Sequence, residues 1–232
     1  MRVALVTVGD EILSGDTVNS NAAWLGRQLS DRGVDVERVT VVPDRVSDIA
    51  RVVNEFHAEY DAVVVTGGLG PTHDDKTMEA VAAAFGTELG EHDAARQWLE
   101  EEAGYARADL AEGTADLPVG SEMLPNPKGV APGCAIGNVY VLPGVPDEMK
   151  GMFEVIADDF AGDERFIETV VAAEPESALI ERLIEVQDRF DVQVGSYPGE
   201  NVRMKIQGRD EAAVEAARQW LAENVDTPDD EE

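Results

Sequence analysis

The stretch "VVVTGGLGPTHDDKT", residues 63–77, sets an apolar run against Gly67, Gly68 and Gly70, followed by a histidine and two adjacent aspartates. Glycines at the end of a buried strand let backbone N–H groups approach an anion without Cβ clashes, and Thr66 adds a hydroxyl donor. The turn suits a phosphate. Asp74 and Asp75 open the helix that follows, where a cap favoured by the helix dipole accounts for one carboxylate, assigned to Asp74. A second carboxylate facing an anion site repels the ligand unless a divalent cation stands between them. Mg²⁺, which takes hard oxygen ligands and phosphate oxygens together, resolves that conflict for a nucleotide or pyrophosphate.

Two other strand ends carry acids. "GDEILSG" places Asp10 and Glu11 after the first strand, and "VVPD" places Asp44 after the second. Carboxylates at successive strand ends beside a glycine-rich turn fit metal-assisted phosphoryl chemistry, in which the ion neutralises charge and the protein positions attacking and leaving oxygens. Asp75 and Glu11 are expected to hold the ion, and Asp44 and Asp75 to serve catalysis. His73 is the one histidine near this turn and could pair with a phosphate or carry a proton, although a lone loop histidine usually does neither. His57, His92, Trp24, Trp98 and Trp220 fall in helical patterns, where packing is the default role. In "LPGVPDEM", Pro143 and Pro146 bracket Gly144 in a rigid turn able to close over a ligand, with Pro146 suited to the first turn of a helix.

These residues need elements to hold them. "RVALVTVG" reads as a buried strand, and "NSNAAWLGRQLSDRG" as a helix with Ala22, Leu25 and Leu29 on one face. "VDVERVTVV" is a second strand, alternating with Val34, Val36 and Val39 and ending at Pro43, "VSDIARVVNEFHAEY" a helix facing inward through Val46, Ile49, Val52, Val53 and Phe56, and "DAVVVTGG" a third strand. "KTMEAVAAAFG" and "DAARQWLEEEAGYARADL" are helical. Strands alternating with helices predict a mostly parallel sheet covered on both faces, with ligands at the carboxyl ends of the strands. The Gly- and Pro-rich stretch 117–153 predicts hairpin-like strands and loops before a helix near Pro146. After it comes a β-α-β-β-α pattern of a small α+β domain. The expected division is an α/β domain over 1–164, the α+β domain over 165–225 and an acidic disordered tail over 226–232.

Lys and Arg total 18 against 48 Asp and Glu, a net charge of -30, which excludes the cationic surface that nucleic acid requires. The acids are spread over helix faces, so the charge is read as solvation suited to a salt-rich cytoplasm, with an acidic patch for a basic partner as the rival reading. No apolar run approaches the roughly 20 residues that span a bilayer, and "MRVALVTVGDEI" meets acids too early for a signal peptide, so a cytoplasmic location is expected. The single Cys134 offers neither a disulfide nor a thiolate metal pattern.

Together, "GDEILSGDTVNSN", "TGGLGPTHDDKT", "NPKGVAPG" and "LPGVPDEM" resemble the molybdopterin-binding fold in its competence/damage-inducible protein A (CinA-like) branch. "VGSYPGENVRMKI" is similar to the small domain that follows there. The resemblance implies a three-layer α/β sandwich, a homo-oligomer (dimer or trimer), and a pterin or adenine nucleotide bound at the strand ends. It places Asp75 at the ligand phosphate, Asp44 after the second strand, Asn21 on the first helix, and the closing loop at Leu142, Pro143, Gly144 and Pro146. With the glycine turn, the candidate ligand-binding set is Glu11, Asn21, Thr66, Gly67, Gly68, Leu69, Gly70, Thr77, Asn126, Gly133, Pro143, Gly144 and Pro146.

The branch implies metal-dependent hydrolysis of ADP-ribose to AMP and ribose 5-phosphate. Other members of the fold adenylylate molybdopterin or insert molybdate, so a molybdopterin adenylyltransferase-like enzyme is the alternative, and a non-catalytic module binding nucleotide or pterin is a third reading. The extra α+β segment favours the first. Full-length bacterial members add an amidohydrolase domain for which this chain leaves no room, so their deamidase activity is not expected.

Overall fold

The computed structural model describes residues 1–70, 72, 75–102 and 113–228. Contacts divide the chain into two units, Met1–Gly162 and Asp163–Glu232. The first unit runs β1 (Arg2–Val8), α1 (Asp10–Ser14), α2 (Ser20–Asp31), β2 (Asp35–Val42), α3 (Val46–Glu59), β3 (Ala62–Thr66), α4 (Thr77–Ala84), β4 (Leu89–Glu91), α5 (Asp93–Gln97), β5 (Asp116–Pro118), β6 (Glu122–Leu124), β7 (Gly133–Ile136), β8 (Val139–Leu142) and α6 (Pro146–Ile156). The second runs β9 (Phe166–Ala172), α7 (Glu176–Phe190), β10 (Gln193–Tyr197), β11 (Val202–Gly208) and α8 (Glu211–Asn224).

Six strands of the first unit form one sheet in the order β2-β1-β3-β8-β7-β6. The first four are parallel to one another, and β7 and β6 are added antiparallel. Strand residues point alternately to opposite faces, so a strand buried on both sides reads as a continuous apolar run. That is the arrangement in β1. Ala4, Val6 and Val8 join Ile49, Val52, Val53 and Phe56 of α3 and Ala80 and Val81 of α4, while Val3 and Leu5 join Leu25 and Leu29 of α2 and Met149, Met152 and Phe153 of α6. The result is the expected three-layer α/β sandwich.

Some local expectations change. "VDVERVTVV" does not keep a single alternation, because β2 pairs Val36 with Val3 and then Arg38 with Ala4, leaving Glu37 in a bulge. Beyond it Val39 is 52% exposed on this edge strand. In "GDEILSG", Asp10 and Glu11 follow the first strand as expected and begin the short helix α1. The helix read from Asp93 passes from α5 into a π-helical turn at Trp98–Glu102, and its continuation lies outside the described residues.

In the second unit the antiparallel sheet β10-β11-β9 packs one face on α7 and α8 through Val170, Met204, Ile206, Leu179 and Leu221. This is the β-α-β-β-α order read from the sequence. Asp226, placed by the sequence reading at the start of a disordered tail, is tied down instead. Its N–H donates to Glu174 Oε1 at 2.9 Å, and its carbonyl accepts from Ala173 N–H at 2.6 Å. Arg182 grips the same Glu174 with both terminal nitrogens, holding that carboxyl below the usual carboxylate range. Residues 229–232 lie outside the described residues. No helix among those described is long and apolar enough to cross a membrane.

Gly133 tests the packing. A Cβ there would collide with the Val141 carbonyl of the adjacent strand and meet Met152 Cε at 2.5 Å, and both Val141 and Met152 are fully buried. Gly133→Ala should lower the unfolding free energy by about 1–3 kcal/mol, measured by urea denaturation, the range seen when a filled core is overpacked.

Candidate functional site

β1, β2, β3 and β8 end together, and a few backbone contacts set the shape of their common rim. The strand β3 stops because Gly67 (φ 103°) and Gly68 (φ 67°) take left-handed conformations that residues with a Cβ avoid. Gly67 lies so close to the carbonyl oxygen of Val8 that any Cβ would collide with it, and its N–H donates to Leu142 O at 3.1 Å. A Cβ on Gly144 would stand 3.3 Å from Gly67 Cα, so the "LPG" loop and the "TGG" turn meet backbone to backbone.

One side chain holds the turn and another the loop against it. Thr77, buried at the first residue of α4, donates through Oγ1 to Gly67 O at 2.8 Å, and its N–H reaches Gly68 O at 3.3 Å. Thr66 is buried beside them. Asn21, on the first turn of α2, donates Nδ2 to Gly144 O at 2.7 Å, while its Oδ1 is buried without a hydrogen-bond partner. An unsatisfied buried acceptor costs about 1–3 kcal/mol, which a bound donor group would recover.

The residues Thr7 and Asn19 were not among the sequence candidates, yet they set where Asn21 sits. Asn19 Oδ1 caps α2 by accepting from Ala22 N–H at 3.1 Å, and its Nδ2 donates to Thr7 Oγ1 at 3.1 Å on β1. An asparagine at a helix start signals a cap, but its tie to a strand-end threonine appears only when the elements meet.

The carboxylates converge on this rim. Asp44 follows β2, and its Oδ2 accepts the Asp10 N–H at 2.8 Å, fastening the loop after β1 to the loop after β2. Gly9 N–H, which donates to Val42 O at 3.1 Å, adds a second link. Burial raises the Asp44 pKa above the ordinary carboxylate value; the Asp10 N–H opposes this, and the charges of Asp10, Glu11 and Asp75 raise it further. The electrostatics thus gather the acids of three strand ends into one field. Glu11 folds back, so that both its carboxylate oxygens stand 2.6 Å from where a Gly9 Cβ would be.

Asp75 differs from expectation. α4 begins at Thr77 with Lys76 at its N-cap, so Asp75 precedes the helix and does not open it. Its Oδ2 accepts from Thr72 N–H at 2.9 Å and Thr72 Oγ1 at 2.6 Å, and it lies against Gly70, where a Cβ would be 2.6 Å away. One oxygen is therefore used to close its own loop. The readings of Asp74 as cap and of His73 fall outside the described residues. Among those described, no three His, Cys, Asp or Glu side chains converge closely enough to hold a metal ion by themselves.

The remaining candidates divide. Pro146 is in the first turn of α6, whose cap residue Val145 adjoins Gly144 at the rim. Leu69 packs against the core cluster containing β1 and β3. Asn126 spends its amide inside its own loop and on α6: Nδ2 donates to Ala131 O at 3.0 Å and Glu148 Oε2 at 2.7 Å, and Oδ1 accepts from Lys128 N–H at 3.2 Å. Gly133 serves strand packing, as described above. His57 bonds Asn138 through Nδ1 at 2.7 Å, and His92 caps α5, both structural positions. Cys134 is buried, its thiol pushed up to about 12 by desolvation.

Similarity to known proteins extends over both units. Residues 4–162 match the family described as "Probable molybdopterin binding domain", and residues 164–228 match the middle domain of FAD synthase. A protein of Archaeoglobus fulgidus is 39% identical over 219 residues, covering 94% of this chain and 95% of its own. A CinA-like protein of Frankia casuarinae is 46% identical over 165 residues, covering 66% of this chain but 38% of that protein. The solved structure of the protein CinA of Thermoplasma acidophilum, described there as of unknown function, superimposes with a TM-score of 0.63 at 38% identity, covering 68% of this chain and 97% of the other.

The raised Asp44 pKa has a consequence for stability. A carboxyl whose folded pKa exceeds its unfolded value favours the fold below the unfolded pKa, and that contribution is lost as pH rises through the folded value. Asp44→Asn should therefore be stabilised relative to the parent at neutral pH and show little difference at pH values where the parent Asp44 is protonated. Thermal melts of both proteins across this range check it; a variant equally stable or weaker at neutral pH contradicts the electrostatic account.

Proposed function

The chain belongs to the molybdopterin-binding domain family in a CinA-like, two-domain form, and from that premise we propose that it is a metal-dependent nucleotide pyrophosphatase acting on ADP-ribose or a related dinucleotide. The observation that carries the reading is the glycine turn of Gly67, Gly68 and Gly70, locked at the meeting of β1, β3 and β8 with the Gly67 N–H spent on Leu142 O, so that phosphates would fall to the turn beyond Gly67, beside a carboxylate field centred on Asp44. An anion site and a cluster of acids are compatible only when a cation lies between them. Mg²⁺ is commonly held by one or two carboxylates together with substrate phosphates, the number that Asp75 and Glu11 would offer.

In this reading the turn and Thr66 receive the phosphates. Asp75 keeps a second oxygen beyond the one engaged by Thr72, and with Glu11 it would hold the ion, which supplies charge neutralisation at the phosphoryl oxygens. Asp44, its proton affinity raised by burial and further by the charges of Asp10, Glu11 and Asp75, would take a proton from the attacking water. The water oxygen bonds to one phosphorus, the bond from that phosphorus to the bridging oxygen breaks, and AMP and ribose 5-phosphate leave. The match of the second unit to a FAD synthase domain supports the dinucleotide class, since FAD carries the same pyrophosphate linkage as ADP-ribose.

The family description of residues 4–162 supports a second reading, a molybdopterin adenylyltransferase-like enzyme using the same rim for transfer to a pterin. It predicts pterin binding, whereas hydrolysis predicts metal-dependent release of AMP without pterin.

Purified protein should release AMP from ADP-ribose, read by chromatography, when Mg²⁺ is present and not when it is chelated, with FAD, ATP and molybdopterin run in parallel. Asp44→Asn should slow turnover by about 100-fold or more, as loss of a positioned base does, and Asp75→Asn should abolish metal-dependent turnover. No AMP under any metal condition sinks the hydrolase reading; undiminished activity in Asp75→Asn removes that residue from the metal.

A further inference from the structure

The second unit leaves one face of its sheet uncovered by its own helices. α7 and α8 pack on the side of Val170, Met204 and Ile206, and the outward positions are the alternate residues of 167–171, 193–197 and 203–207. Acids make up 48 of the 232 residues, yet none stands at these positions, and the ionised side chains there are two cations of β11, Arg203 and Lys205. The Arg203 guanidinium lies over the Tyr197 ring, 4.7 Å from its centroid, and among the described residues neither cation has an ion-pair partner. The face asks for carboxylates.

An acidic segment of the same chain starts at one end of this sheet. Asp226 is fixed there: its N–H donates to Glu174, its carbonyl accepts from the N–H of Ala173, the residue after β9, and Arg182 holds Glu174 in turn. Arg203 and Lys205 pair with Val171 and Thr169, two and four residues back from Ala173. At about 3.3 Å per residue and about 4.8 Å between strands, both cations stand within about 20 Å of Asp226. Residues 227–232 follow, long enough to extend about 20 Å, and the last four are Asp229, Asp230, Glu231 and Glu232.

The anchor decides which carboxylates reach the face. A net charge of -30 repels any separate acidic molecule, whereas a segment rooted at Asp226 meets the face as an intramolecular ligand, at an effective concentration on the order of millimolar. We propose that the acidic segment 229–232 straps across the uncovered sheet face onto Arg203 and Lys205. Charges at an exposed surface act over about 10 Å in 0.1 M salt and about 3 Å in 1 M, so the strap closes in dilute salt and opens in concentrated salt.

A spin label at the end of the segment tests it in the full chain. Cys134 is buried, with its thiol pushed up to about 12, so a nitroxide reagent attaches to the cysteine of Glu232→Cys. The backbone amide signals of Thr169, Val171, Arg203 and Lys205 should lose most of their intensity in dilute salt and regain it at about 1 M salt. Arg203→Gln with Lys205→Gln should restore them in dilute salt, and so should Asp229→Asn with Asp230→Asn, which leaves the sheet untouched. The dispersion of the amide spectrum verifies that each variant is folded. Undiminished signals in the parent, or a loss that neither variant relieves, overturn the proposal. So does an equal loss when spin-labelled protein is mixed with isotope-enriched protein that carries no label, since the contact then lies between copies.

Discussion

The rim rests on one close approach, that of Gly67 to the carbonyl of Val8. It is possible only because residue 67 carries no side chain, and it lets the Gly67 N–H reach Leu142 O at the same time. Three strands are thereby trimmed to a common level. Gly144 can then lie against Gly67, and Asn21 can reach Gly144 O from the first turn of α2. A backbone arranged this way needs little ordering when a ligand arrives, which favours binding because the conformational cost has already been met in folding.

The same convergence explains why the acids crowd. Asp10, Glu11, Asp44 and Asp75 come from three separate loops, and they share a field only because the strands that launch them end side by side. The crowding opposes folding, and the core offsets it. β1 and β3 are buried on both faces between two helical layers, so the scaffold can tolerate unfavourable charge crowding at its rim.

Much of the scaffold was legible in the residues. The burial of Ile49, Val52, Val53 and Phe56 follows from helical spacing, and the stop of β3 from its glycines. What was not legible depended on contacts between distant segments. That Asp75 folds onto Thr72 and stands ahead of the helix needed the path of the loop, because an aspartate two residues before a helix reads the same as one that caps it. Thr7 looks like any other strand residue until Asn19 is placed beside it. Gly133 and Asn126 sit in a motif that draws attention to ligand contact; within the fold one is pressed against a neighbouring strand carbonyl and the other bonds its own loop and Glu148 of α6. Motif membership marks a position as constrained and leaves open which neighbour imposes the constraint.

The bulge at Glu37 has an effect beyond breaking an alternation. β2 is an outer strand, and an outer strand presents unpaired N–H and C=O groups that can recruit a strand from another molecule. Here the bulge locally disrupts the ladder, and it does so where Glu37 and Arg38 are exposed, in front of the exposed Val39. At the opposite border, β6 is three residues long. Resistance to runaway strand addition is thus built into both margins of the sheet, independently of the net charge, and it persists in concentrated salt where repulsion between molecules fades.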